Sequence, residues 1–193
     1  MTATLAFAFV LGLRHATDAD HVLAVTTIVS RTRRVRPALG IGLAWGVGHS
    51  MTLLAVGMLM VFGGVAIPDR VSAAFELCVA AMLVGLGIWS LVRPVAQVPR
   101  STPTRPFLIG VIHGLAGSAA VVLATLATIR DQGGAIAYLG LFSIGTAAGM
   151  GTLTLILALP VAFSTARVHW FIVRAAAVLA ILGGFLLALR VLS

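Results

Sequence analysis

Six apolar stretches, at about 3–29, 39–64, 72–93, 107–129, 134–162 and 169–191, alternate with short polar or basic turns. Each is roughly 20 residues or longer, the length a helix needs to cross a hydrocarbon core of ~30 Å. Within them apolar and polar positions do not alternate with a period of two. The stretches therefore predict helices rather than the strands of a closed barrel. The expected fold class is all-α: a polytopic membrane protein with six transmembrane helices.

One connection stands apart. Residues 94–106, Pro-Val-Ala-Gln-Val-Pro-Arg-Ser-Thr-Pro-Thr-Arg-Pro, hold four prolines and two arginines. Proline at this density resists helix and favours an extended linker. It divides the chain into 1–93 and 107–193, each with three predicted spans.

The halves share a pattern. Leu11-Gly12-Leu13-Arg14-His15 aligns with Ile109-Gly110-Val111-Ile112-His113 at an offset of 98. In the next spans Leu39-Gly40 aligns with Leu139-Gly140, and Thr52-Leu53 with Thr152-Leu153, at an offset of 100. In the third, Gly87 and Arg93 align with Gly184 and Arg190 at an offset of 97. A repeat of three spans inserts its second copy upside down, which predicts two inverted three-helix repeats. Transporters of that architecture bind their cargo near the midplane, at the repeat interface. His15 and His113 are then expected to approach each other across a pseudo-two-fold axis.

Composition agrees with the membrane reading. The chain has 193 residues, 60% of them hydrophobic and 9% charged, with mean hydropathy +1.13. A soluble domain carries about 25% charged residues. One cysteine, Cys78, excludes an internal disulfide framework and thiolate metal sites of the usual kind. The net charge of +8 comes from thirteen arginines and no lysine. These lie mostly between spans, so they predict orientation in the bilayer rather than a nucleic-acid partner. Arg31, Arg33, Arg34, Arg36, Arg93, Arg100, Arg105, Arg167 and Arg174 fall on one side if six spans alternate. Only Arg70, Arg130 and Arg190 fall on the other. The arginine-rich loops are therefore expected in the cytoplasm and both termini outside, in an inner or plasma membrane of bacterial type. The first segment lacks a basic start and a small-residue cleavage site, so it reads as a retained span.

The first span holds the costliest run: Arg14-His15-Ala16-Thr17-Asp18-Ala19-Asp20-His21. A charged group at a helix centre in the bilayer costs about 2.5–3.5 kcal/mol. Two of the chain's five acidic residues stand here. On an unbroken helix each residue turns about 100°. His15, Asp18 and His21 then share one face, whereas Asp20 points away, about 100° from His21. His15 and His21 are also roughly 9 Å apart along the axis. Either Asp18 is the ligand on that face, or the helix is broken, as at midplane sites of transporters. A plainer alternative is an ion-pair patch, with Arg14 and Asp18 at i, i+4. It leaves Asp20 and two histidines without a role.

Two further histidines lie at membrane depth. His49 sits in Gly46-Val47-Gly48-His49-Ser50-Met51-Thr52, and His113 in His113-Gly114-Leu115-Ala116-Gly117-Ser118-Ala119-Ala120. Gly110, Gly114 and Ser118 form a stripe of small residues suited to tight helix packing. His169, beside Trp170, marks a membrane boundary. The candidate metal ligands are His15, Asp18, Asp20, His21, His49 and His113. Imidazole with carboxylate suits a divalent transition metal. No nucleotide-binding signature such as G-x4-G-K-S/T is present.

His15-(x)4-Asp20-His21 resembles the H-x4-D-H signature of the nickel/cobalt transporter family. Gly48-His49-Ser50 resembles that family's second motif, and the run from His113 to Ala120 resembles the broader group of nickel-permease-like and urease-accessory membrane proteins. The resemblance implies import or export of Ni²⁺ or Co²⁺ as transported substrate, with His15, Asp20, His21 and His49 as functional positions and no prosthetic group. Typical members of the family have eight spans, with the signature in the second. The expected partners are the metal ion and the lipid bilayer, with a second copy or an accessory subunit as further candidates. Two other readings compete: an intramembrane metalloenzyme using the same ligands to activate water with Asp20 as base, and a structural or accessory subunit whose polar cluster only ties helices together.

Overall fold

A computed structural model of the chain describes residues 2–64, 68–95, 103–114, 126, 128–129 and 131–193. Seven helices stand out among them: α1 (Thr2–His15), α2 (Ala19–Val29), α3 (Val35–Gly63), α4 (Asp69–Val92), α5 (Thr104–His113), α6 (Gln132–Phe163) and α7 (Ala166–Leu192). Four of these, α3, α4, α6 and α7, are long and apolar enough to cross a bilayer. The molecule is an all-α integral membrane protein. Its outward side chains, such as Phe163, Phe171, Leu186 and Leu192, are large, apolar and exposed, as a lipid-facing surface requires. Leu115 to Ala120, the rest of the His113 run, lies outside the described residues, as does most of the linker.

The first predicted span is two helices. α1 stops at His15, and Ala16 to Asp18 form a turn closed by the Thr17 amide to the Arg14 carbonyl at 2.8 Å and the Asp18 amide to the His15 carbonyl at 3.1 Å. The Thr17 hydroxyl also donates to the Arg14 carbonyl, at 2.6 Å. Asp18 has extended backbone angles, φ −60° and ψ 147°, and N-caps α2. Asp at this position and Asp20 in the first turn both favour a helix start, because carboxylates complement the exposed amides and the positive end of the helix dipole. The Thr-Asp-Ala-Asp sequence thus supplies a local stop and restart. Arg14 is exposed and makes no ion pair with Asp18, which bonds His15 instead.

Helix partners follow from small residues. α1 lies on α6: a methyl added at Gly12 would collide with the Phe142 carbonyl, and one at Gly145 with the Phe9 carbonyl. α5 lies on α3 in the same manner, Gly110 against the Trp45 carbonyl and Gly48 against that of Phe107. α3 and α6 run antiparallel, with Gly42 beside Thr154, Gly46 beside Ala147 and Gly57 beside Leu139. α4 and α7 also run antiparallel. Cβ atoms at Gly87 and Gly184 would stand 2.6 Å from the Ala177 carbonyl and 2.7 Å from the Ala80 carbonyl. Only glycine permits backbones this close.

The loop after α2 is bound to the end of α4. Arg31, 1% exposed, donates to the carbonyls of Ser90 at 2.8 Å and Pro94 at 2.7 Å, and lies over the Trp89 ring. Arg174 donates to the Leu91 carbonyl at 2.8 Å. Guanidinium groups therefore satisfy carbonyls that a helix C-terminus leaves open. Arg33 donates to the Ser164 carbonyl, and His169 Nε2 to that of Ser30 at 2.8 Å. These bonds gather the loops around 30–34, 93–95 and 164–165 at one end of the fold.

Candidate metal centre

The break in the first span sets the site. His15 closes α1, Asp18 caps α2, and Asp20 and His21 lie in its first turn; His49 comes from the middle of α3 and His113 from the last turn of α5. All four imidazoles are buried, His15 at 5%, His21 at 0%, His49 at 1% and His113 at 0% exposure. Their ring centroids lie 4.7 Å apart for His15–His21, 5.0 Å for His15–His49 and for His21–His49, and 4.2 Å for His21–His113. One ligand atom each from His15, His21 and His49 falls within 4.8 Å of the others, and the same holds for Asp20, His21 and His113. His21 belongs to both groups.

Hydrogen bonds decide which nitrogens are free. A carboxylate only accepts, so His15 Nδ1–H donates to Asp18 Oδ2 at 3.0 Å and His21 Nδ1–H to Asp20 Oδ1 at 3.1 Å. His113 Nε2–H donates to Asp20 Oδ2 at 2.8 Å. Each proton so placed leaves the other ring nitrogen with its lone pair. His21 Nε2 and His113 Nδ1 are buried with no partner. His15 Nε2 faces His49 Nε2 at 2.9 Å, so His49 carries that proton, and its Nδ1 is a third buried nitrogen without a partner. Buried polar atoms normally find partners. Three orphaned nitrogens in one cluster are the chemistry of an acceptor set awaiting an electrophile.

The carboxylates stand behind the imidazoles. Bonding of a ligating histidine to a carboxylate fixes its ring and raises its basicity. Asp20, bonded to both His21 and His113, does this for two rings at once. Asp20 reaches its own neighbour His21 in the first turn of α2 and His113 from α5, although helical rotation sets Asp20 about 100° from His21. Asp18, whose side chain is 41% exposed, and Asp20, 19% exposed, also bring negative charge to the wall of the site.

All six sequence-derived ligand candidates meet here. His169 does not; it bonds Ser30 at the loop-rich end. Two aromatic residues outside that set also shape the site. Trp45 lies edge-on to His113 with centroids 5.4 Å apart, and Phe142 lies 5.5 Å from the His15 ring. Both are fully buried and keep the imidazoles in an apolar wall. For Trp45 a signal existed, one turn before His49 on the same face of α3.

Residues 1–106 match the model of a family described as high-affinity nickel-transport protein. A urease accessory protein, UreH, of Bacillus sp. (strain TB-90) is 31% identical over 187 residues, covering 88% of this chain and 82% of that protein. A cobalt transport protein, NhlF, of Rhodococcus rhodochrous is 39% identical over 62 residues, 31% of this chain and 17% of the relative. A hydrogenase nickel incorporation protein, HupN, of Bradyrhizobium diazoefficiens is 35% identical over 94 residues, 42% of this chain and 25% of the relative. No solved structure matches. The buried histidine cluster thus stands in a chain that belongs to the high-affinity nickel-transport protein family, a family of transporters and not of enzymes.

Proposed function

We propose that this protein carries Ni²⁺ or Co²⁺ across the membrane through the imidazole cluster between α1, α2, α3 and α5. The observation that supports this most is the set of buried, unpartnered nitrogens on His21, His49 and His113. Imidazole nitrogen suits nickel well, and intrinsic affinity rises from cobalt to nickel. The matching family is described by nickel, and one relative is named for cobalt. Nickel is therefore the first cargo to test and cobalt the second.

In this reading His15, His21, His49 and His113 supply nitrogens. Asp18 and Asp20 hold the rings and balance the charge of the dication. His21, common to both ligand groups, passes the ion from one to the other. Neutral imidazole is the ligand, so protons compete with the ion for the same nitrogens, and proton coupling through these groups belongs to this reading.

Residues 1–93 and 107–193 act as two inverted repeats joined by the 94–106 linker. In support, α1 packs on α6 as α5 packs on α3, while the α3–α6 and α4–α7 pairs are antiparallel. Rocking one repeat against the other exposes a midplane site alternately to each side. The end where Arg31, Arg93, Arg167 and Arg174 gather faces the cytoplasm by the positive-inside rule.

The test is metal flux into liposomes containing the purified protein, read with a trapped metal-sensitive dye. Gradient-driven Ni²⁺ influx that His21→Ala abolishes is the expected result. Equal flux through the wild type and a folded His21→Ala variant overturns the reading. UreH is named an accessory protein, so flux that emerges only with a partner subunit favours an accessory role.

A further inference from the structure

Asp18 and Asp20 bond the imidazoles on one side and on the other line a cavity of about 610 Å³. At ~30 Å³ per water that is room for roughly 20 waters. The remaining wall comes from α4 and α7, and includes Glu76, Leu83, Gly183 and Arg190. The antiparallel pairing of α4 with α7 puts Glu76 and Arg190 at the same end of the pair. That end is opposite the one where Arg31 covers Ser90 and Pro94. Leu83 lies seven residues after Glu76 on α4, so the cavity extends about 10 Å along that helix.

Three of the chain's five acidic residues therefore line one cavity. Its inner wall reaches the imidazole rings through Asp20, which bonds His21 and His113, and its outer part has a carboxylate with no ion-pair or hydrogen-bond partner among the described residues. A lipid-facing groove needs no carboxylates; a route for a hydrated dication does.

We propose that this cavity is the aqueous entrance to the metal centre and that Glu76 is its receiving residue. The Glu76 carboxylate holds the hydrated ion through its water shell. Asp18, the more exposed of the two inner carboxylates, takes it next, and water is shed as imidazole nitrogens replace it. Arg190, across the cavity, opposes the ion's charge and limits occupancy. The proposal rests on the transport reading above and adds where the ion enters and what receives it.

Opposite charges at one mouth give opposite effects. In liposome influx assays with Ni²⁺, Glu76→Gln is expected to raise KM about fivefold and leave the maximal rate within twofold, because local charge in a cleft sets the cation concentration it sees. Arg190→Gln is expected to lower KM about two- to threefold by the same effect. Both shifts shrink at high ionic strength. A merely structural role would move both variants the same way, through the maximal rate. Water access is tested separately with Glu76→Cys in a Cys78→Ser background, since Cys78 is itself exposed. A membrane-impermeant thiol reagent should label it, and Ni²⁺ should slow the labelling. An unchanged KM in Glu76→Gln, with His21→Ala still inactive, overturns the entrance and leaves the transport reading standing. Absence of flux in the wild type overturns both.

Discussion

Gly12 on α1 and Gly110 on α5 are 98 positions apart and do the same work, one seated against the backbone at Phe142 and the other against the backbone at Trp45. Gly87 and Gly184 form another such pair, each against the other's helix. In backbone contact the two halves are near equals. In chemistry they are not. The first half brings His15, Asp18, Asp20, His21 and His49 to the centre, and the described part of the second brings His113. The positions matching Asp20 and His21 at an offset of 98 are Ser118 and Ala119. The matching glycines show that similar packing constraints act on both halves. A dication needs only one set of charges, and a second buried set would add desolvation cost without a ligand to offset it.

The sharpest way to break this comparison is to remove ligands from each half. His21 serves both donor groups and His113 one. His21→Ala is expected to lower Ni²⁺ affinity by about 100-fold or more and His113→Ala by about 10-fold, taking the range known for losses around metal sites as a guide. Calorimetric titration of the detergent-solubilised variants reads both. Equal losses would mean that the halves contribute equally to the centre.

Asp20→Asn probes the carboxylate that joins the halves through His21 and His113. The amide keeps the shape but loses the charge, and affinity is expected to fall about 10-fold. Acid should act on the same groups. Protons compete with metal for neutral imidazole, so affinity is expected to fall as the medium is made more acid. The titration repeated at pH 7.5 and 5.5 checks the sign; an affinity that rises in acid contradicts imidazole ligation.

How much of this the sequence disclosed depends on the kind of force involved. The ends of α3, α4, α6 and α7 lie within four residues of the predicted limits, because bilayer thickness imposes its length on any apolar run. The six ligand candidates were legible because polar groups at that depth are costly. The geometry among them was not. An ideal helix places Asp18 with His15 and His21 and turns Asp20 away; in the structure Asp20 bonds its neighbour His21 and, from another helix, His113. The middle spans were aligned at an offset of 100, whereas Gly48 and Gly145, in matching contacts with Phe107 and Phe9, differ by 97. A slip of three is close to one turn of 3.6 residues. In uniformly apolar helices both registers look alike. Phe142 was hidden for the same reason, since one more aromatic in an apolar helix carries no signal; Trp45 stood out only by its place one turn before His49.

Smaller effects test the scaffold side of the comparison. Gly12→Ala and Gly110→Ala each force a methyl into a neighbouring backbone. Overpacking of this kind costs about 1–3 kcal/mol. The two losses are expected to be of similar size, since each methyl meets a backbone carbonyl at the same distance. Thermal unfolding in detergent measures them, and a loss confined to one glycine would show that the halves are not packed alike.

The smallest effect has the opposite sign. Gly40 on α3 and Gly140 on α6 are also paired in sequence, yet a methyl at either meets nothing within 4 Å. Neither has a positive φ. Alanine there fills no occupied space and removes the flexibility that makes glycine unfavourable within a helix, by about 0.5–1 kcal/mol. Gly40→Ala and Gly140→Ala should therefore raise the melting temperature slightly and leave Ni²⁺ flux unchanged. A fall in stability at either would mean that another surface, such as a second copy of the chain, closes on that helix face. Repeating the melt at several protein concentrations tells the two cases apart, because only association makes it concentration-dependent.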